Sequence, residues 1–143
     1  MSLATALGFR INEVPHERQR APVNIGDWIP GKPVEIRVSS MTDRRYVFLV
    51  ALHEMVEYEL CRVFRKSDQK IMAFDRSYLG PYEEPGDDPH ALYHVEHTIA
   101  TFIEKAAAKA KRVSWPDYSA EVSRITSLEG LRRKQGPRTP AVP

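Results

Sequence analysis

The stretch from Arg44 to Lys66, RRYVFLVALHEMVEYELCRVFRK, decides how the rest of the chain is read. No proline or glycine interrupts it, and Thr42 or Asp43 just ahead offers an N-cap. At about 100° of rotation per residue, Leu49, His53, Val56, Glu57, Leu60 and Phe64 fall on one stripe, which predicts a long helix with that stripe turned to the core. Two of these residues are ionisable. An unpaired carboxylate is costly to remove from water, so Glu57 requires a proton, a cationic side chain or a metal ion beside it.

On the N-terminal side, Val34 to Val38 alternates apolar and polar residues, the pattern of a half-buried strand. Pro33 before it and Ser39-Ser40 after it suggest a short edge strand. Residues 1–32 have no sustained periodicity and several prolines, and read as an irregular, partly extended arm. On the C-terminal side, Ile71 to Asp75 can form a short helix, and Gly80-Pro81 and Glu83-Glu84-Pro85-Gly86 then break the chain into a variable loop. Asp87-Asp88-Pro89 marks the start of a second long helix, with Asp88 as N-cap, running to about Arg112. Its apolar stripe is Leu92, Val95, Ile99, Phe102, Ile103, Ala106 and Ala110, with Glu96 near the middle and His97 about 100° further round. A weaker helical pattern follows through Val122, Ile125 and Leu128 to Gly130. The expected fold is therefore α+β: two long antiparallel helices, a shorter helical segment and a short sheet on the N-terminal side. One domain over 33–130 is flanked by the arm and by a disordered basic tail over 131–143.

Composition fits a single core: 143 residues, 42% hydrophobic and 28% charged. No run approaches the ~18 apolar residues that cross a bilayer, and no signal-peptide pattern opens the chain, so the expected location is the cytoplasm, with no membrane partner. Cys61 is the single cysteine and reads as a small buried hydrophobe. Residues 105–143 hold 9 Lys/Arg against 3 Asp/Glu, whereas residues 1–104 hold 12 against 16. The basic tail makes nucleic acid a conceivable partner, although no nucleic-acid-reading motif accompanies it.

The chemistry lies in His53 and Glu57. Their i, i+4 spacing brings two side chains close enough to bind one ion, as in the zinc-binding His-Glu-x-x-His helix. Glu54 projects beside the pair, where in such helices a glutamate takes a proton from metal-activated water. A third ligand is required. Glu96 is the first candidate, as a carboxylate within an apolar stripe, and His97 is the second, as the better zinc ligand. The cofactor implied is a divalent metal, zinc first, with manganese or iron suited to a carboxylate-rich set. The alternative is a satisfied buried polar cluster with no ion.

The order of a strand over Val34–Val38, then Leu52-His53-Glu54-Met55-Val56-Glu57, then a helix bearing Glu96, resembles the minimal zincin metallopeptidases of the gluzincin type over about residues 33–105. That resemblance implies a zincin-like fold, His53, Glu57 and Glu96 as metal ligands, Glu54 as the catalytic base, and a strand that pairs with extended peptide or protein substrate. Glu57 stands where the family has its second histidine. The chain also resembles small bacteriophage and prophage proteins with a His-Glu-x-x-Glu helix and a later Glu-His pair, which would place it in a bacterial host and implies no activity. Two functions follow as expectations: metal-dependent hydrolysis of a peptide-like bond, or a non-enzymatic phage accessory or structural role.

Other residues carry weaker signals. His90 and His94 form a ridge that reads as solvent-exposed rather than ligating. Asp75 either orients His53 or caps a turn. Trp28 and Trp115 read as anchors tying arm and tail to the core, and Tyr93 as a half-buried aromatic. The sequence contains no phosphate-binding glycine loop, serine elbow or cysteine cluster.

Overall fold

Alternation places Val34, Ile36 and Val38 on one face of a strand, and all three are buried. In the computed structural model, which describes residues 8–135 and side chains as far as position 127, this strand is β3 (Val34–Ser39). It is the centre of a three-stranded sheet ordered β1-β3-β2, not its edge. The correction comes from the stretch read as an irregular arm, which supplies both neighbours. β1 (Phe9–Val14) runs parallel to β3, with Ile11 opposite Ile36, and β2 (Gly26–Ile29) runs antiparallel, with Trp28 opposite Ile36. Prolines and short length hid these strands, because a six-residue and a four-residue strand give little periodicity to read. The crossover between them is held by side chains. His16 bonds through Nδ1 to Ser39 Oγ (2.8 Å), and its Nε2 donates to the Pro22 carbonyl (2.9 Å). Gln19 donates to the Ile25 carbonyl and to Ser39 Oγ.

The helix expected over 44–66 is α1 (Arg44–Val63). Asp43 caps it, accepting from the Arg45 N–H at 2.8 Å. It ends where Arg65 takes a left-handed conformation (φ 53°) and the Lys66 N–H reaches back to the Cys61 carbonyl, satisfying an orphan carbonyl of the last turn. The short helix α2 spans Asp68–Ser77. The second long helix, α3 (His94–Ala110), begins later than expected. Asp88 is not its N-cap but accepts from the His90 N–H in a local turn, and residues 85–87 form a separate 3-10 turn. α4 (Trp115–Gln135) runs past Gly130, so residues 131–135 of the expected disordered tail are helical, while 136–143 lie outside the described residues.

α1 packs on one side against the sheet and on another against α3. The two long helices are antiparallel, because Arg45 near the start of α1 reaches the Arg112 carbonyl just beyond α3, while Lys66 after α1 meets Glu96 in the first turn of α3. The fold is thus mixed α and β, with four helices and one small sheet among the described residues. None of the described helices is long and apolar enough to cross a membrane. Trp28 is buried in the core and Trp115 packs against it, as anchors should.

The expected apolar stripes are turned. On α1, Leu49, His53 and Glu57 are buried together with Val50, Glu54 and Cys61, but Phe64 is exposed. On α3 the inward residues are Glu96, His97, Ala100, Glu104 and Ala108, while Val95, Ile99 and Phe102 face outward, as does Leu92 in the turn before it.

At Gly26 in β2 the sheet touches α1 without a side chain between them. A Cβ there would lie 2.6 Å from Val50 Cγ1 and 2.7 Å from Glu54 Cγ. Val50 is a β-branched residue in a helix and has one favoured rotamer, so it cannot swing aside. Gly26→Ala is expected to lower unfolding free energy by about 1–3 kcal/mol through overpacking, read as a reduced urea midpoint at unchanged m.

Candidate metal centre

α1 presents His53 and Glu54 side by side and Glu57 one turn further on, and α3 presents His97 and Glu104 opposite them. All five are buried. His53 Nε2 lies 3.0 Å from Glu57 Oε2, His97 Nδ1 lies 2.8 Å from the same oxygen, and the two ring nitrogens are 3.2 Å apart. Three ligand-type atoms therefore converge on one point. The rings can approach this closely because α3 carries Ala100 and Ala108 on the same face, and because Gly86 backs onto His97. A Cβ on Gly86 would stand 2.4 Å from His97 Cγ.

The outer nitrogen of each ring is also engaged. His53 Nδ1 donates to Glu104 Oε2 at 2.8 Å, and Glu104 accepts in turn from the Tyr118 hydroxyl. His97 Nε2 donates to Asp87 Oδ1 and Glu84 Oε2, each at 3.2 Å. With protons on these outer nitrogens, a neutral imidazole points a lone pair inward, so two nitrogen lone pairs and a carboxylate oxygen face one another. Three acceptors so arranged repel unless a cation stands among them. Without a metal, that cation is a second proton on each ring. The electrostatics follow suit: burial pushes the His53 and His97 pKa down, but the hydrogen bonds that His53 makes to Glu104 and Glu57, and that His97 makes to Asp87, Glu57 and Glu84, raise both well above the ordinary histidine range. Burial would raise Glu57, yet its bonds to the two histidines hold it down at about 2.

The donor set fits a divalent ion of the zinc type. Ligand atoms about 2.0–2.1 Å from a tetrahedral ion stand roughly 3.3–3.4 Å apart, so the observed contacts need open by only a few tenths of an ångström. Among the described residues no lysine or arginine pairs with Glu54, Glu57 or Glu104, so the excess negative charge is left to histidine protons or a metal.

Glu54 differs from its neighbours. Its carboxyl makes no hydrogen bond among the described residues, and burial, followed by repulsion from Glu57, raises its pKa well above the ordinary range. It lines the same cavity as His53, Glu57 and His97, a space of about 50 Å³ walled on one side by Gly26. A water needs about 10–15 Å³ by such a measure, so a few small groups fit.

The first candidate for third ligand, Glu96, does not join the cluster. It is buried on the other flank of the helix contact, with Lys66 Nζ at 3.8 Å and its Oε2 without a hydrogen-bond partner among the described residues. Glu96 and His97 are about 100° apart, and the side of α3 that meets Glu57 is that of His97 and Glu104. His97, the second candidate, takes the position. Asp75 accepts from the Tyr93 hydroxyl and from Asn24 Nδ2, each at 2.7 Å, while the His53 nitrogens meet Glu104, Glu57 and His97. Tyr93 is thereby fully buried rather than half-buried. His90 is exposed, and His94 donates to the Gly86 carbonyl instead of joining a site. Cys61 is buried, and burial with the nearby carboxylates pushes its thiol far up, consistent with packing.

Sequence reasoning missed Glu104, Glu84, Asp87 and Tyr118. The signal for Glu104 was available: it lies two turns after His97 on a face whose other members are alanines, and small residues mark close helix contact. Glu84 and Asp87 come from a proline- and glycine-containing loop, for which the sequence has no periodicity.

Comparison with protein-family models, with curated proteins and with solved structures finds no significant match. The site must be read from its own atoms.

Burial raises Asp75 to about 7 despite the hydrogen bonds it accepts from Tyr93 and Asn24. Its folded-state pKa exceeds the unfolded value of ~3.9, so the carboxyl costs nothing below pH ~4, and opposes folding increasingly as pH rises to about 7. Asp75→Asn is expected to gain stability relative to the parent across that window, with a difference in slope of up to about 1.4 kcal/mol per pH unit. Urea titrations at pH 4.5, 5.5, 6.5 and 7.5 measure it, and parallel curves would refute the assignment.

Proposed function

We propose that the cluster binds one divalent metal ion through His53, Glu57 and His97 and serves metal-dependent hydrolysis of a peptide-like bond, with Glu54 as the catalytic base. The observation that supports this most is the convergence of His53 Nε2, Glu57 Oε2 and His97 Nδ1 with both outer ring nitrogens already engaged, beside a buried glutamate that has no hydrogen-bond partner among the described residues. The ion, with zinc the first choice and manganese or iron next, supplies Lewis acidity for a carbonyl and for water. The residues of the chain do the rest. Glu104 and the Asp87/Glu84 pair fix the ring tautomers, the wall at Gly26 excludes bulk water, and Glu54 takes a proton from the attacking water and returns it to the leaving group.

A zincin-like mode of substrate binding, in which extended peptide pairs with a strand, is not the mode the sheet favours. β3 has a neighbour on each side, and at β2 the Trp28 carbonyl accepts from Arg20, which is also tied to Asp27 and Asp68. Substrate access is assigned instead to the side of Glu84 and Asp87, whose carboxylates are partly exposed. The small cavity and the covering stretch of residues 23–28 favour a second reading, a non-catalytic protein with a structural ion or a proton-held polar cluster.

Elemental analysis of protein purified without chelator or metal-affinity tag tests both. About one ion per chain is expected, lost in His53→Ala/Glu57→Ala and in His97→Ala, and retained in Glu96→Ala. Glu54→Gln should keep the ion and lose roughly 10²–10⁴-fold in hydrolysis rate on a peptide library. An ion present with no hydrolysis assigns the structural role, and no ion after addition of zinc, manganese or iron leaves the polar cluster.

A further inference from the structure

The turn that carries Glu84 and Asp87 lies against the outer edge of the His97 ring. The Asp87 N–H bonds back to the Glu84 carbonyl at 3.1 Å, a three-residue spacing that brings the side chains at the two ends of the turn to one side. Gly86 between them leaves room for the ring, since a Cβ there would stand 2.5 Å from His97 Nδ1. Two carboxylates therefore meet one nitrogen. His97 Nε2 is 3.2 Å from Glu84 Oε2 and 3.2 Å from Asp87 Oδ1, and the three ligand-type atoms all lie within 4.8 Å of one another. The His97 side chain is 7% exposed, whereas those of Glu84 and Asp87 are 39% and 49% exposed, so the pair stands between a buried ring and solvent. A single N–H does not satisfy two carboxylates, and among the described residues no lysine or arginine pairs with either. Lys105, the cation of the adjoining pocket, has its Nζ over the Trp115 ring instead, 5.3 Å from the centroid. That pocket has a volume of about 190 Å³ and also reaches Thr101, whose Oγ1 is buried without a hydrogen-bond partner among the described residues. It has room and polar partners for several waters.

A neutral imidazole has one N–H and one lone pair. With the lone pair on Nδ1, His97 serves the buried centre, and its Nε2 proton is divided between the two carboxylates. With the lone pair on Nε2, the Nδ1–H donates to Glu57 Oε2 at 2.8 Å, and a ring nitrogen and two carboxylate oxygens face the pocket. A histidine backed by a carboxylate on its other nitrogen is the usual arrangement of a metal ligand. The 3.2 Å contacts at Nε2 also approach the roughly 3.3–3.4 Å between ligand atoms that stand about 2.0–2.1 Å from one ion. We propose that His97 Nε2, Glu84 Oε2 and Asp87 Oδ1 form an outer site for a hydrated divalent cation, at which metal docks before it enters the buried centre. The entry role rests on the reading of that centre as a metal site, whereas the outer site itself does not. An ion bound by His53, Glu57 and His97 must give up its waters among buried side chains, which is costly when taken in one step. At the outer site two carboxylates replace part of the hydration shell while the exposed side keeps its waters. Glu84 lines both this pocket and the inner cavity, so its carboxylate borders the whole path. Because His97 offers one lone pair at a time, the two sites bind in turn, and the ring changes tautomer with no net gain or loss of protons.

Zinc titration of His53→Ala/Glu57→Gln separates the two sites, because this variant lacks two inner ligands yet keeps an amide oxygen to accept the His97 Nδ1–H. One zinc per chain is expected by calorimetry, bound roughly 100-fold or more weakly than in the parent and so lost on purification. Long-range proton–nitrogen spectra of the zinc-bound variant should show His97 in the Nδ1–H form, and adding Glu84→Gln/Asp87→Asn should abolish binding. In the otherwise unchanged chain, Glu84→Gln/Asp87→Asn should slow zinc uptake by chelator-stripped protein roughly tenfold or more in stopped flow, since two charges that draw the cation in are gone. This second measurement decides if His53→Ala/Glu57→Gln fails to fold. Carboxylates that only fixed the ring tautomer would, when replaced, raise the rate of zinc release and leave uptake unchanged, which overturns the entry role. No zinc on His53→Ala/Glu57→Gln at about 1 mM overturns the outer site, as does binding that survives the Glu84 and Asp87 substitutions. A parent that holds zinc beside a variant that takes none leaves the buried centre standing and removes the outer site. A parent whose zinc is lost with Glu84 and Asp87 but kept without His53 and Glu57 does the reverse: the outer site stands, and the buried centre falls together with the entry role.

Discussion

The structure depends on one buried carboxylate, Glu57, held between two imidazoles that belong to different helices. A buried ion with only part of its partners is strongly destabilising, so the contact between α1 and α3 can form in only one register, the one that brings His97 to Glu57 and Glu104 to His53. Everything near the pair serves that register. Alanines on α3 let the helices approach, Gly86 gives the His97 ring its place, and Tyr118 of α4 secures the far oxygen of Glu104. The chain spends polar residues where a small domain would ordinarily spend leucines. Its core proper is displaced to the sheet side of α1, around Trp28, Ile36 and Val50.

The parts of this arrangement that were legible in the sequence are those with short-range signatures. α1 was visible from its uninterrupted length and its cap, and His53, Glu54 and Glu57 from their spacing. β3 was visible from alternation, but not its position, since a strand's neighbours are set by pairing that no local pattern records. Pro33 and the polar Ser39-Ser40 argued for an edge, whereas the strands that cover both sides of β3 lay in a stretch too short and polar to announce them. Which residue of the second helix joins His53 and Glu57 turned on a rotation of about 100°, which is the difference between Glu96 and His97 and lies within the error of placing a helix by its apolar stripe.

That error has a physical origin. Reading α3 by its bulky residues assumes that the largest apolar side chains face the core. Here the close contact with α1 is made by alanine, histidine and glutamate, and the bulky side chains are left on the far side. Hydrophobic periodicity identifies an amphipathic helix but does not say which neighbour its apolar side meets, and a neighbour outside the chain gives the same pattern as one within it.

The wall behind Glu54 is a glycine's backbone, and this bears on how the protein can vary over evolutionary time. Surfaces built from side chains drift: each residue lining them is an independent target for mutation, and pocket shape changes with it. At Gly26 the shape is carried by main-chain atoms, which every substitution elsewhere in β2 preserves so long as the strand keeps its pairing with β3. Ile29 can change without altering what Glu54 touches from that side, and only one position is under a steric veto. Among divergent relatives, the environment of the glutamate would be expected to outlast the identity of the strand that forms it.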